Sequence, residues 1–428
     1  MSFKNTRFFL LVLLAVLSLN LGVRPAAADN RADFQPGPRQ VYAFYFGWWL
    51  AESWGDPALT DRPLEHYDSR DVGALGRHID QARSAGIDGF VTSWFGPAGD
   101  NLSHTTFNAL LDQAGARGFQ IAAAVDMYES GYLNSVESVT EAMRYLVSDR
   151  ANHPAYMRYN GKPVIYFWNQ GRFTVSQWRS IREQVDPGHN TIWVAEGTNT
   201  SFIGVFDGLY LFNIAWSGNP AGTNAQWAGR ARSAGATFFS GTAMPGWDDT
   251  AIAERTNRQN STAPRSREGL QYLINSFNGA ANSGANVVLV VSWNEYFEGT
   301  HVEPSELHGT AALDTLRTLI AAYKGGTTAN ITAPGDVSAP ANAPAAPGDA
   351  AAGVPSGQTF LTQYEVNLRD GASTSAGVVT RIPYNTTVEV VGRNAAGDWL
   401  RVNYNGQSGW VAAYLGQLNG DLNALPVQ

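Results

Sequence analysis

Apolar segments alternate with amphipathic segments along most of the chain. Eight segments have the length and apolar content of buried strands, and they cover Val41–Phe46, Gly89–Trp94, Gln120–Asp126, Pro163–Trp168, Thr191–Glu196, Gly208–Asn213, Thr237–Ala243 and Asn286–Trp293. Seven others repeat apolar residues at helical spacing, namely Asp71–Ala85, Thr105–Arg117, Ser135–Asp149, Val175–Val185, Asn224–Ala234, Arg267–Asn282 and Gly309–Tyr323. This order predicts an α/β fold of the (β/α)8 TIM barrel type. An open doubly wound sheet is the alternative, but no glycine-rich phosphate turn follows the first predicted strand.

The pattern changes on both sides of this predicted barrel. Residues 1–28 combine Lys4 and Arg7 with an apolar run and the small residues Ala26–Ala28, as a secretory signal peptide does. An uncleaved anchor is the alternative, although the run is short for a membrane span. The barrel domain would cover 29–324, and the Pro/Ala/Gly-rich residues 325–358 would form a linker. We therefore expect a secreted or extracytoplasmic protein, with no membrane segment after signal cleavage.

Residues 359–420 predict a small all-β barrel as a second domain. Short alternating segments are predicted as strands at Glu365–Leu368, Val378–Ile382, Thr387–Arg393, Asp398–Tyr404 and Ser408–Val411. The dipeptides Asp370-Gly371 and Asn405-Gly406 between them favour hairpin turns.

Composition narrows the range of functions. The chain has 428 residues, no cysteine and a formal net charge of −8. The absence of cysteine excludes disulfides, thiol nucleophiles and thiolate metal sites. Without a surplus of positive charge, nucleic acid is not an expected partner. The seven histidines lack the His-Glu-X-X-His spacing of a zinc site, so we expect neither a metal nor another cofactor.

The carboxyl ends of the predicted strands carry acids and indoles, at the face where TIM barrels build active sites. The residues at these ends include Trp48, Trp49, Trp94, Asp126, Tyr128, Trp168, Glu196, Trp216, Trp247, Asp248, Glu295 and Glu298. Indole faces stack on the C–H faces of sugar rings, and paired carboxylates cleave glycosidic bonds. The pattern therefore favours a carbohydrate site, although any single tryptophan could equally belong to the core.

The densest group of polar residues follows the eighth predicted strand. Asn294, Glu295, Glu298, His301 and Glu303 all occur within ten residues of one another. On a continuing strand the first two glutamates would face opposite sides, but a bend at Gly299 would bring both to one pocket. A structural loop held by salt bridges is the alternative interpretation.

Several segments resemble the endo-α-mannosidase family of glycoside hydrolases, family 99. They are Tyr42–Trp48, Gly86–Trp94, His153–Val164, Pro245–Thr250 and Trp293–Pro304. The resemblance implies a TIM barrel and a retaining mechanism through a 1,2-anhydro sugar. It assigns deprotonation of the sugar 2-hydroxyl to Glu295, and protonation of the leaving oxygen followed by activation of water to Glu298. The predicted substrate-binding residues are Tyr45, Trp48, Trp94, Asp126, Tyr128, Trp168, Trp247, Asp248, Asn294, His301 and Glu303.

The chain departs from the family pattern at two places. Tyr296-Phe297 stands where the family usually has Trp-His, and Asp126-Met127-Tyr128 stands where its third strand ends in Glu-Pro-Tyr. The family's basic contact after the seventh strand corresponds to either Arg265 or Arg267. These differences leave the acid/base pair intact and concern the contacts with the sugar.

The C-terminal region resembles a bacterial SH3 domain. The resemblance is carried by Val366–Gly371, Gly397–Val402 and Gly409–Ala412, and it implies a module that attaches the protein to a cell wall or another surface. We therefore expect a retaining glycoside hydrolase acting on a polysaccharide or oligosaccharide, with a surface ligand for the small domain. The alternative is a non-catalytic carbohydrate or cell-wall binding protein on the same scaffold.

Overall fold

The computed structural model describes residues 34–97, 101–128, 130–256, 263–329, 358–362, 366–372, 376–383, 386–394, 399–413, 416–420 and 424–427. The predicted signal peptide and residues 330–357 of the predicted linker lie outside the described residues. Among the helices in the described ranges, none combines the length and the apolar composition needed to cross a membrane.

Eight parallel strands form the first unit. They are β1 (Gln40–Tyr45), β2 (Gly89–Trp94), β3 (Gln120–Asp126), β4 (Lys162–Trp168), β5 (Ile192–Glu196), β6 (Gly208–Tyr210), β7 (Phe238–Ala243) and β8 (Val287–Val290). Each strand pairs with the next, β8 pairs with β1, and β3 pairs directly with β4. The sheet is therefore closed, and the predicted (β/α)8 TIM barrel is confirmed. A two-residue strand, Arg158–Tyr159, pairs antiparallel with the start of β4.

Helices surround this barrel. They are α1 (Val72–Ser84), α2 (Leu102–Gly115), α3 (Val136–Ser148), α4 (Val175–Val185), α5 (Pro220–Ser233), α6 (Thr250–Arg255), α7 (Gln271–Asn282) and α8 (Ala311–Lys324). Polar side chains cap the first turns of five helices, namely Asp71, Asn101, Ser135, Thr174 and Asn219. The connection after β5 contains only a 3-10 turn, Thr200–Phe202.

The direction of each strand-end side chain follows from the alternation along the strand. Tyr166 on β4 reaches Ser240 on β7 at 2.9 Å, so both side chains lie inside the barrel. On β1, Phe44 also faces inward, with its ring 6.3 Å from that of Tyr210. Its neighbour Tyr45 points outward to α1. The odd or even position of a residue along its strand, which we call its parity, therefore decides whether its side chain faces inward. We call the opening ringed by the carboxyl ends of β1–β8 the mouth.

The second unit is an antiparallel all-β sheet. Its strands are β9 (Thr359–Thr362), β10 (Val366–Arg369), β11 (Val378–Ile382), β12 (Thr387–Arg393), β13 (Trp399–Tyr404), β14 (Gln407–Ala412) and β15 (Gly416–Asn419), in the order β11-β10-β14-β13-β12-β9-β15. The predicted small all-β unit is confirmed. The prediction missed β9 and β15, which pair with each other. An apolar cluster that includes Phe360, Leu368, Leu400 and Val411 forms its core.

Candidate active site

After β8 the chain forms a hydrogen-bonded turn that carries both predicted catalytic carboxylates. The N–H of Thr300 donates to the carbonyl of Glu295 at 3.2 Å, and the hydroxyls of Ser292 and Thr300 lie 2.8 Å apart. Gly299 has a φ of +62°, which glycine adopts without steric cost, so the predicted bend is present. Glu295 and Glu298 therefore belong to one turn, which we call the β8 turn (residues 292–303).

Local hydrogen bonds hold the two glutamates in place. The N–H of Glu295 donates to the Ser292 hydroxyl at 2.8 Å, and the N–H of Phe297 donates to Glu295 Oε1 at 2.9 Å. Glu295 is 4% exposed. The carbonyl of Glu298 accepts the N–H of Asp248 at 2.8 Å, which ties the turn to the loop after β7. Both side chains are thus carried on a braced backbone, as catalytic groups require.

A buried polar network lies behind the β8 turn and centres on Glu303. Its Oε1 faces His78 Nε2 at 3.0 Å, and its Oε2 accepts from the hydroxyls of Tyr296 at 2.9 Å and Tyr67 at 3.3 Å. His78 Nδ1 lies 3.0 Å from the hydroxyl of Tyr45. Burial, followed by the Glu303 carboxylate, raises the pKa of all three tyrosines. The structure thus places Tyr45 and Glu303 within this network, and their contact with substrate stays a prediction.

Two further residues of the segment connect elements of the barrel. The side-chain amide of Asn294 accepts the N–H of Phe46 at 2.8 Å and donates to the carbonyl of the same residue at 2.9 Å. His301 Nε2 lies 2.8 Å from Asp61 Oδ2. Asn294 and His301 are 0% and 1% exposed, so the structure places both beneath the surface, and their contact with substrate stays a prediction. Their contacts attach the β8 turn to β1 and to the loop that follows it.

Asp61, His301 and His308 have potential ligand atoms within 4.8 Å of one another, which is close enough to surround a metal ion. Two backbone N–H groups already donate to Asp61 Oδ1, at 2.7 and 2.9 Å. The guanidinium of Arg267 lies 3.3 Å from His301 Nε2, and burial together with this charge lowers the pKa of His301. Because a guanidinium opposes a second cation nearby, these residues fit a hydrogen-bonded cluster better than a metal site.

Across the mouth, inward side chains occupy the ends of β3 to β6. Asp126 pairs in register with Trp168, so the two share the inner face. A serine hydroxyl and a backbone N–H donate to the two oxygens of Asp126, at 2.8 and 2.9 Å. The ring of Trp168 meets Phe212 edge-on at 4.8 Å. With Glu196, these residues form what we call the inward rim: Asp126, Trp168, Glu196 and Phe212.

Glu196 and Phe212 are the members of the inward rim that are absent from the predicted substrate-binding residues, and Glu196 is the titratable one of the two. It pairs in register with Tyr210, whose side chain lies inside the barrel. The N–H of Phe212 reaches Glu196 Oε1 at 3.4 Å. Burial raises the pKa of this carboxyl to about 7, against the lowering effect of that N–H. The signal that could have identified it is parity, because Glu196 ends its strand on the same face as Asp126 and Trp168.

The remaining predicted contacts differ in how they reach the mouth. Trp48 is half-buried and stacks on Phe95 at 5.9 Å. Tyr128 is 49% exposed, and Asp248 is exposed. Trp247 is buried, and its indole N–H has no acceptor among the described residues.

Trp94 does not reach the mouth. It is fully buried, its Nε1 donates to His104 at 3.1 Å, and its ring lies 6.0 Å from that of Phe107 on α2. Parity on β2 sends Ser93 inward to Asp126 and Trp94 outward to the helices. The structure therefore places Trp94 against the helices, and its contact with substrate stays a prediction.

The two arginines that compete for the family's basic position have separate roles. Arg267 donates to the carbonyls of Gly299 and His301, at 3.0 and 2.8 Å, and so braces the β8 turn. Arg265 donates to the carbonyl of Ala215 at 2.9 Å, in the loop after β6. The arginine that contacts the acid-bearing segment is therefore Arg267.

The comparisons with known proteins agree with this architecture. Residues 60–318 match the model of glycosyl hydrolase family 99. The chain belongs to glycosyl hydrolase family 99. It is therefore a glycosidase by family, and residues 365–416 match a bacterial SH3 domain. Both predicted resemblances are confirmed.

Relatives and solved structures match about two thirds of the chain. The chain is 25% identical to the rat glycoprotein endo-alpha-1,2-mannosidase over 349 residues, which cover 68% of this chain and 74% of the relative. It is 24% identical to a mouse endo-alpha-1,2-mannosidase-like protein, over 65% of this chain and 74% of that one. The GH99 endo-alpha-mannosidase of Bacteroides thetaiotaomicron superimposes with a TM-score of 0.58 at 20% identity, covering 68% of this chain and 99% of that chain. That likeness shows a shared fold.

Proposed function

We propose that this chain is an exported retaining glycoside hydrolase that cleaves α-mannosidic bonds in an oligosaccharide or polysaccharide. The observation that carries the proposal is the β8 turn, in which the Ser292–Thr300 contact brings Glu295 and Glu298 onto one short loop at the mouth. The mannosidase names of the relatives support the choice of sugar. The inward rim supplies two carboxyl groups and one indole, which suit the hydroxyls and the C–H face of a sugar ring.

In the proposed reaction Glu295 takes the proton of the sugar 2-hydroxyl while that oxygen attacks the anomeric carbon. The bond from the anomeric carbon to the leaving oxygen breaks, and Glu298 protonates that oxygen. The product of this step is a 1,2-anhydro sugar. Water then attacks the anomeric carbon, Glu298 takes the water proton, and Glu295 returns its proton to the 2-oxygen. Two displacements at one carbon give net retention.

Substrate contacts in this proposal come from residues whose side chains reach the mouth. Trp48, Tyr128 and Trp168 offer aromatic surfaces, whereas Asp126 and Asp248 offer acceptors for hydroxyl groups. Asp126 already accepts two hydrogen bonds from the protein, so its carboxylate is held in one orientation before a ligand arrives. Such preorganisation lowers the entropy lost on binding.

The small all-β unit acts, in this proposal, as a targeting module rather than as part of the active site. Its apolar cluster draws only on residues of its own segment. With the signal peptide predicted at 1–28, the enzyme would work outside the cytoplasm, and the SH3-like unit would hold it on a cell wall or another glycan-bearing surface. Tethering raises the effective concentration of enzyme at such a surface.

The deciding experiment measures reducing-end release from mannans, fungal-wall glycans and bacterial-wall glycans, and follows the anomeric configuration of the first product by NMR. We expect release from at least one α-mannan, with retention. Inversion would contradict the roles of the two glutamates. Tight binding of a glycan without release from any of them would instead identify a non-catalytic carbohydrate-binding protein.

A further inference from the structure

Trp216 stands apart from the other tryptophans of the barrel. It is 56% exposed, and it is the only exposed tryptophan in the described parts of the chain. It lies in the loop from β6 to α5, which opens at the mouth because loops after barrel strands gather at that face. The barrel order places β6 two strands away from β8. Trp216 therefore stands at the same opening as the β8 turn, on another side of it.

The backbone around Trp216 is clamped from beneath. The hydroxyl of Tyr272 donates to the carbonyls of Ile214 and Ser217, at 2.7 and 3.2 Å. Arg265 donates to the carbonyl of Ala215 at 2.9 Å. These three carbonyls flank Trp216, so the backbone on both sides of the indole is held by the side chains of Tyr272 and Arg265. The exposure of the indole is a property of a braced loop.

The indole itself is also fixed in orientation. Its Nε1 donates to the carbonyl of Asn213 at 3.0 Å, and the side chain of Asn213 accepts the N–H of Ala215 at 2.8 Å. With its only donor already used, the side chain offers a ligand little except its flat apolar faces. A large apolar surface held in water is unfavourable unless something covers it.

We propose that Trp216 is a stacking platform for one pyranose ring of the glycan chain, at a subsite on the β6 side of the mouth. The proposal rests on the glycosidase function and deepens it, because it adds a second recognised ring to the sugar held at the β8 turn. A flat indole matches the C–H face of a pyranose, and a side chain fixed in advance loses little entropy on binding. The enzyme would therefore favour longer glycans over short ones.

The test compares Trp216→Leu with Trp216→Tyr on α-1,2-linked mannose oligosaccharides of two to six residues. Leucine keeps apolar surface but removes the flat ring, whereas tyrosine keeps the ring. We expect the loss of kcat/KM in Trp216→Leu to grow with chain length, to about tenfold for the longest chain, and to appear in KM. Trp216→Tyr should retain most of the wild-type value. A loss that is equal at all lengths, or equal in both variants, would overturn the platform.

A binding measurement separates this proposal from the glycosidase proposal. The same oligosaccharides are titrated into the wild type and both variants, with binding followed by calorimetry and folding by circular dichroism. If the wild type releases no reducing ends but binds long chains more tightly than Trp216→Leu does, the platform is supported and the glycosidase proposal fails. Equal binding by wild type and Trp216→Leu would overturn the platform alone. Absence of binding to any chain would overturn both.

Discussion

Glu303, which follows β8, and Glu196, which ends β5, belong to the same barrel but lie in opposite environments. Glu303 accepts from two tyrosine hydroxyls and faces a histidine, all of them buried. Glu196 receives one backbone N–H at 3.4 Å and faces the mouth. A carboxylate surrounded by buried donors holds the backbone in place. A carboxyl with few donors keeps a raised pKa and remains available to a ligand.

The largest expected effect concerns the acids that the Glu303 network supports. Glu298→Gln should lose about 10²- to 10⁴-fold in kcat/KM on a glycan with a poor leaving group, because the leaving oxygen loses its proton donor. An activated aryl glycoside needs little protonation, so the loss there should be much smaller. Glu295→Gln should be nearly inactive on both, since its proton transfer accompanies attack on the anomeric carbon. Initial rates on both substrates give the result.

Two outcomes would contradict these roles. Equal losses of Glu298→Gln on both substrates would argue against general-acid catalysis. Substantial activity of Glu295→Gln would exclude the route through the 1,2-anhydro sugar, even in an active glycosidase.

The second largest expected effect tests whether the buried Glu303 carboxylate stabilises the fold. Glu303→Leu removes the acceptor of Tyr67 and Tyr296 and should lower the free energy of unfolding by about 3 kcal/mol, since buried donors lose their partner. The matched control is Glu306→Gln, whose carboxylate pairs with His66 at 3.1 Å on the surface. Exposed pairs contribute little, so this control should change stability by less than about 1 kcal/mol. Urea unfolding followed by tryptophan fluorescence measures both, and similar values would refute the anchoring role.

Glu196, the carboxyl that faces the mouth, predicts a free energy of unfolding that depends on pH. Since the pKa of Glu196 is raised to about 7 in the folded chain and is about 4.3 when unfolded, folding favours the protonated form. The corresponding stability is fully present below about pH 4 and is lost as the pH rises through 7. The free energy of unfolding of Glu196→Gln should therefore rise relative to that of the wild type between pH 5 and 8, by about 1–2 kcal/mol. Urea unfolding of both proteins across this pH range measures the difference. A difference in unfolding free energy that does not change with pH would contradict the assignment.

The smallest effect is expected from removal of the small domain. A chain ending at Ala329 retains the whole barrel core, because the two apolar clusters share no residue. We expect its kcat/KM on a soluble oligosaccharide to equal that of the full chain, with a lower rate only on insoluble or cell-bound glycan. Should the truncated chain lose activity on the soluble substrate, the small domain would have to contribute to the cleft.

The strand and helix order could be predicted from the sequence because the elements of the barrel are strongly patterned. Predicted and observed bounds are identical for Gly89–Trp94, Gln120–Asp126 and Val175–Val185. Thr250–Arg255 was missed because six residues are too short for a helical period to show. In the small domain, β9 and β15 escaped prediction because neither shows an alternating apolar pattern: Phe360 and Leu361 are adjacent in β9, and Leu418 is the one large apolar residue of β15.

The candidate site was less predictable, because position at a strand end does not reveal direction. Tyr45 and Trp94 sit at such ends and point to the helices, whereas Glu196 points inward. Counting parity back from a known interior residue would have separated them. Asn294, His301 and Glu303 are buried by contacts with residues more than 200 positions earlier in the chain. For Glu303 these residues are His78 and Tyr67. Such pairings leave no local pattern in the sequence.

The inward rim has a consequence for how this protein could be redesigned. Asp126, Trp168, Glu196 and Phe212 come from four different strand ends, whereas the network behind the β8 turn is built around Glu303 by Tyr67, His78 and Tyr296. A library that varies these four positions would explore sugar preference while the acid-bearing loop keeps its braces. Random substitutions at the buried residues Tyr45 and Trp94 would instead mainly impair folding. If the proposed roles hold, protein engineers could exchange the rim of this barrel one strand end at a time without altering the loop that carries Glu295 and Glu298.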